Sequence, residues 1–246
     1  MSGDGRGLKF GTVAESYDRF RPGPPIETAD LLGDLTGQEA LEVGAGTGKF
    51  TRLLLELGAI VSIVEPDVDM RRVLLRQSPE VQVLDGRAEE LPVAERSFDV
   101  IVSSSAWHWF TQPDATNEMA RVLRDDGVIF VLWNGFSRDV SWVAELTKFR
   151  QRPDDAGVRP RGWSAKFDPD GPFVNARDVS LNWTWTRTID DVAALFGTYS
   201  GAINQSDENR HTMERLVRER LVEHVGEGVV KLPMTLRGTT ARRRPR

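Results

Sequence analysis

Ala40-Leu41-Glu42-Val43-Gly44-Ala45-Gly46-Thr47-Gly48-Lys49-Phe50 is the stretch that decides the fold of this chain. Leu41 and Val43 give it an apolar entry, three glycines follow at every second position, and Phe50-Thr51-Arg52-Leu53-Leu54-Leu55 leaves with helical spacing. The pattern reads as strand, tight turn, helix. Glycine adopts positive φ without strain and carries no Cβ, so a ligand can lie against bare peptide. The helix that follows offers unsatisfied N–H groups and the positive end of its dipole. In open α/β sheets such a turn stands at the carboxyl end of a strand, where nucleotides bind.

Two nucleotide motifs are excluded or weakened by single residues. A P-loop requires G-x-x-x-x-G-K-[ST]; here Val43 stands five before Gly48, and Phe50 replaces the magnesium-holding hydroxyl after Lys49. The dinucleotide fingerprint G-x-G-x-x-G would need glycine where Lys49 stands. What remains is acidic-x-Gly-x-Gly-x-Gly, with Glu42 two residues before Gly44. This resembles the first motif of class I S-adenosylmethionine (SAM) methyltransferases. The resemblance implies that Gly44, Ala45, Gly46, Thr47 and Gly48 carry the methionine and ribose portions of SAM, with Glu42 anchoring the turn's amides or the methionine ammonium.

The neighbouring segments extend the resemblance. Ala59-Ile60-Val61-Ser62-Ile63-Val64 reads as a buried strand ending at Glu65-Pro66-Asp67, about 20 residues beyond the first glycine. A carboxylate there can accept both ribose hydroxyls, so Glu65 is the expected ribose ligand. After a helix from Met70 and a strand at Val81–Leu84 comes Asp85-Gly86-Arg87-Ala88-Glu89, similar to the family's adenine-edge motif, with Ala88 and Glu89 in the binding positions. Pro66, Met70, Arg87 and Ser103 complete the implied cofactor set. Ser97–Ser104 and Val128–Trp133 read as the fourth and fifth strands, joined by an amphipathic helix around Glu118–Leu123.

The acceptor side is expected at two places. Trp107-His108-Trp109-Phe110 follows the fourth strand at the topological switch point, where aromatic rings suit a sulfonium cation and an organic acceptor. Trp107, His108 and Trp109 are candidate substrate contacts. His108, whose ordinary pKa lies near neutrality, is the candidate general base. Tyr17 and Arg21-Pro22 share one helical face and resemble the N-terminal lid of trans-aconitate-type small-molecule methyltransferases, although Pro24 stands where that subgroup tends to carry an aromatic. Tyr17 and Arg21 are thus expected at the cofactor, with Tyr17 also facing the acceptor.

Composition bounds the alternatives. A chain of 246 residues suits one large α/β domain. No apolar run approaches the ~20 residues of a membrane span, and the first residues lack a signal-peptide pattern, so the cytoplasm is the expected location. Zero cysteines exclude disulfides and thiolate chemistry, and the three histidines show no metal-ligand spacing. Net charge is −5 although the last five residues carry four arginines. The acidic body argues against nucleic acid, and the arginine-rich end reads as a solubilising tail.

The expected architecture is a single Rossmann-like domain over 1–246, a three-layer α/β sandwich on a mostly parallel seven-stranded sheet with an antiparallel C-terminal hairpin. Lid helices occupy 10–38, the cofactor core 39–134, a cap 135–178, and the rest of the sheet 179–246, with strands near 179–186 and 229–236. The predicted activity is methylation of a small molecule by SAM, with S-adenosylhomocysteine as product and no metal. A nicotinamide-dependent oxidoreductase, a macromolecule methyltransferase and a non-catalytic SAM-binding regulator are the competing readings.

Overall fold

The computed structural model describes residues 14–150, 164–203 and 205–245. Two short helical segments, α1 (Ala14–Phe20) and α2 (Ala29–Leu32), precede the sheet. Then come β1 (Glu39–Val43), α3 (Lys49–Glu56), β2 (Ile60–Val64), α4 (Val68–Gln77) and β3 (Gln82–Leu84). They are followed by β4 (Phe98–Ser104), α5 (Asp114–Val122), β5 (Leu123–Phe136) and α6 (Ser141–Leu146). The last portion is β6 (Phe173–Thr188), α7 (Ile189–Gly197), α8 (Ser200–Ile203), α9 (Asp207–Val225) and β7 (Val229–Arg243).

Seven strands form one sheet in the order β3-β2-β1-β4-β5-β7-β6. The first five are mutually parallel, and β7 runs antiparallel to both β5 and β6. Side chains of successive strand residues point to opposite faces, and that alternation makes two cores. Leu41, Val43, Ile101, Ile129 and Val131 pack with Met119 and Val122 of α5. Ala40, Val100, Val102, Phe130 and Leu132 pack with Phe50 and Leu54 of α3 and Leu74 of α4 on the other face. A third cluster joins Val143 and Leu146 of α6, Val192, Leu195 and Phe196 of α7, and Val217 and Leu221 of α9 to Leu232 and Met234 of β7. Three layers follow directly from the period-2 pattern.

Helix caps explain several boundaries. The Asp67 carboxylate accepts from the amides of Asp69 and Met70 and so starts α4 two residues before the predicted Met70. At α7 the cap is the Thr188 hydroxyl, which accepts from Asp191 N. Asp190 and Asp191 occupy the first turn, where they complement the helix dipole. On α9, Val217 and Leu221 are buried, whereas Leu216 is 40% exposed.

The C-terminal part departs most from expectation. The antiparallel pair is present, and the chain between β6 and β7 holds α7, α8 and α9. Strand β7 continues seven residues past the predicted Leu236. Gly238 permits this: a Cβ there would lie 2.0 Å from Val131 O of β5. The arginine-rich end is no solubilising tail, because Arg243 is buried and donates to Leu123 O and Asp125. Arg242 donates to Asp126 O, and Arg244 to Gly171 O and Pro169 O. The lid reading is described only from Ala14 onward, and residues 151–163 of the expected cap lie outside the described residues.

Candidate active site

The chain leaving β1 winds outward to β2 and β3 on one side, and returns to β4 and β5 on the other. The carboxyl ends of β1 and β4 therefore border the switch-point crevice. The three glycines of the turn do three jobs. A Cβ on Gly44 would lie 2.6 Å from Ala106 Cβ, and one on Gly48 would lie 2.8 Å from Leu74 Cγ, so these two permit close packing of the β4 end and of α4. Gly46, at φ 58°, has nothing within 4 Å of a Cβ position. Of the three, Gly46 presents bare peptide to open space.

Two buried acids brace this turn. Glu65, at the end of β2, accepts from Gly46 N at 2.8 Å through Oε2 and from Asp67 N at 2.9 Å through Oε1. Burial raises its pKa above the ordinary carboxylate range, and the two amide bonds oppose the shift. Glu42, on β1, accepts from the Thr51 hydroxyl at 2.5 Å. Burial pushes its carboxyl up to about 8; Thr51 opposes the shift and the nearby Glu65 adds to it.

A cleft of about 610 Å³, including its solvent mouth, opens beside the turn. Glu42, Ala45, Thr47 and Lys49 form one wall, and Ser104, Ser105, Asn134 and Gly135 come from the ends of β4 and β5. Ser105 holds φ 60°, an uncommon left-handed conformation for a residue with a side chain. Tyr17 and Arg21 of α1 cover the opening, and Tyr199 and Met234 close the far side. Arg21 donates to the Thr198 hydroxyl at 2.8 Å and to Thr198 O at 2.9 Å. Its guanidinium lies 3.9 Å from the Tyr199 ring centre and 4.9 Å from that of Tyr17. Within one turn of Arg21, Asp18 of α1 pairs with Arg52 at 3.0 Å and with Lys49 at 3.7 Å. The helix is thus fastened on both sides of the cleft.

Sequence-derived candidates divide by position. Tyr17, Arg21, Glu42, Ala45 and Thr47 meet at the cleft. Ala88 is buried, while Glu89 is half-buried and accepts from Thr111 N at 2.6 Å. That amide, despite opposing burial, holds the Glu89 carboxyl below its usual range. Met70 is buried with Ala14 and Val73 beneath Tyr17. Ser103 is buried, whereas Pro66 and Arg87 are exposed, the latter 3.6 Å from Glu89. The aromatic run does not line this cleft, although Phe110 packs on the glycine turn, its ring 3.4 Å from a Cβ position at Gly44. Trp107 packs edge-on against Phe110 and Phe167, and His108 is exposed with its ring tilted on Trp109, which is itself 39% exposed.

Sequence reasoning missed Asn134, Ser105, Tyr199 and Lys49. A polar residue closing the apolar run Val128–Trp133 was the available signal for Asn134. Its amide donates to Gly23 O at 2.8 Å and accepts from Trp183 Nε1 at 3.0 Å, tying the lid loop to β6. Tyr199 had none, since only the fold carries it to Arg21.

The chemistry of the turn fits SAM: open peptide at Gly46, the buried acid Glu65 accepting from its amide, and the small, buried Ala88. A β1 glycine turn, a β2-end acid and this strand order together define a class I SAM-dependent methyltransferase. The family description "Methyltransferase domain" matches residues 41–131. An uncharacterized methyltransferase of Mycobacterium tuberculosis is 34% identical over 218 residues, covering 88% of this chain and 87% of its own. A methyltransferase-like protein of Schizosaccharomyces pombe, also uncharacterized, is 28% identical over 208 residues, covering 82% and 81%. A solved structure from Anaeromyxobacter dehalogenans, provisionally named a type II methyltransferase, shares the fold at TM-score 0.63. It is 23% identical and covers 91% of this chain and 98% of its own. The chain belongs to the class I SAM-dependent methyltransferases, and its cofactor is SAM. Among the described residues, no helix is long and apolar enough to cross a membrane.

Proposed function

We propose that this enzyme methylates a small-molecule acceptor held in the cleft between the glycine turn, α1 and Tyr199. The observation that carries the reading is the roof. Arg21 is fixed to Thr198 and Tyr199 across the opening, so the space beside Ala45 and Thr47 is a covered cleft and not an open groove. A nucleic-acid partner would require a basic face, which a net charge of −5 does not favour.

In this reading Gly44 to Gly48 carry the methionine and ribose portions of the cofactor. Each Glu65 oxygen, already accepting one amide, has a second lone pair for a ribose hydroxyl. Ala88 leaves room for the purine, Glu89 accepts from its amino group, and Pro66, Met70, Arg87 and Ser103 surround it. When bound, the cofactor supplies a methyl group on a sulfonium, already activated for in-line displacement. The chain's own contribution is alignment: Tyr17, Arg21 and Tyr199 exclude water and hold the acceptor in line. His108 is left out of the chemistry because its exposed ring stands apart from the cleft lining.

Calorimetric titration with SAM, S-adenosylhomocysteine and NAD, followed by transfer of labelled methyl into a metabolite extract, tests the proposal. Micromolar binding of the first two and a labelled low-mass product are expected. Label appearing only in added protein or RNA would overturn the small-molecule reading, and binding without any transfer would favour a regulator.

A further inference from the structure

Lys49 stands where a P-loop lysine would stand, yet the surrounding motif gives it no phosphate to bind. The fold places it elsewhere. It is the first residue of α3, and its side chain, only 19% exposed, lines the cleft together with Tyr17, Arg21, Glu42 and Tyr199. Several features there disfavour an ammonium. Burial removes water from it, the positive end of the α3 dipole lies beneath it, and Arg52 on the same helix and Arg187 at the end of β6 add like charge. Asp18 is the compensating group, but at 3.7 Å it lies beyond direct hydrogen-bonding distance, while Arg52 holds it at 3.0 Å. Lys49 shares a counter-ion that another cation holds more closely. Glu42 does not restore the balance, since burial keeps it largely protonated near neutral pH. Arg21 is engaged with Thr198, and Tyr17 and Tyr199 present phenol rings.

We propose that Lys49 is the proton acceptor of the reaction, its neutral amine taking the proton of a hydroxyl acceptor bound in the cleft. This rests on the methyl-transfer reading above. The hydroxyl oxygen forms the new bond to the methyl carbon. The carbon–sulfur bond breaks with its electron pair left on sulfur, and the hydroxyl proton passes to the Nζ lone pair, then to solvent through the cleft mouth. Burial lowers Lys49 to about 8, with Asp18 opposing and Arg52 and Arg187 assisting, which keeps a usable fraction of free amine near neutrality. A carboxylate acceptor would arrive without its proton and would be met best by a permanently charged lysine, so the protonation state of Lys49 separates the two chemistries.

Two measurements decide the matter. The full chain holds five lysines, so lysine-labelled NMR gives a short set of side-chain signals, and the one absent in Lys49→Met is assigned to Lys49. Its titration midpoint is expected near 8; a midpoint above about 10, the ordinary lysine value, overturns the proposal. Methyl transfer into the extract should rise with pH through the same midpoint and then level. Lys49→Arg, which keeps the cation but cannot give up its proton, should lose about 100-fold or more in rate while binding SAM within about threefold of the parent. Retained activity in Lys49→Arg would overturn the base and point to an anionic acceptor. If the parent chain binds neither SAM nor S-adenosylhomocysteine, the methyl-transfer reading itself falls and the proposal falls with it.

Discussion

The parallel half of the sheet, β3-β2-β1-β4, borders the cleft chiefly with one glycine turn, whereas the antiparallel half and its helices border it with side chains drawn from distant positions. In the first half, one turn of five residues is braced by Glu65 and Glu42. In the second, Arg21, Asn134, Tyr199 and Met234 converge only because β7 is threaded between β5 and β6 and carries the helices α7 and α8 against α1. Backbone walls recognise what is common to a family, and assembled side chains can change one at a time.

Substitutions can break that contrast, beginning with the frame. Gly238→Val places a side chain against Val131 O, which a Cβ would approach to 2.0 Å. Loss of more than ~3 kcal/mol is expected, read as a collapsed denaturant midpoint, and near-normal stability would mean that β5 and β7 can part. Glu65→Ala should weaken SAM by ~1.5–3 kcal/mol, as for lost hydrogen bonds to a charged group; unchanged affinity by calorimetry would remove the ribose role.

The Glu42 carboxyl predicts a pH effect with a definite sign. Its folded pKa, about 8, lies above the ordinary value, so the native state retains a proton that the unfolded chain has lost. The native state therefore loses stability as pH rises from about 4.5 towards 8, by up to roughly 5 kcal/mol. Glu42→Gln should flatten that slope in urea unfolding at several pH values; an unaltered slope would place the titration elsewhere.

Gly46→Ala tests the glycine division. With open space at its Cβ position, it should cost only ~1 kcal/mol of stability for its positive φ yet lower SAM affinity at least about tenfold. If stability and affinity fall together, Gly46 is another packing glycine. The smallest effect belongs to His108→Ala: less than about twofold in methyl-transfer rate, since surface changes are usually near neutral, and a drop of ~100-fold would return the base to the aromatic run.

How much was legible follows the same divide. Glycine spacing, strand-end acids and apolar alternation are local signals, so β1 to β5 and the turn could be read from short windows. The antiparallel pair was visible in Val179–Thr186 and Val229–Leu236, but its ends were not. Gly238 and four arginines look like punctuation unless the neighbouring β5 backbone is known. His108 was singled out for its chemistry, a property of the residue, while exposure is a property of the fold. Lys49 was dismissed with the motif it failed to match, because burial and a shared counter-ion cannot be seen along a line of sequence.

The position of β7 also sets a timetable. Strand β6 pairs with β7 alone, and β7 is made after it. In a chain emerging at about 5–20 residues per second, some 55 residues separate the end of β6 from the end of β7, a delay of several seconds. Throughout that interval the 16 residues of β6 have no ladder to join, and exposed strand edges invite other chains. Helices α7 and α9 can pack together meanwhile, yet Met234 reaches the cleft only when the final strand slides between its two neighbours. The catalytic chamber is the last part of the molecule to exist.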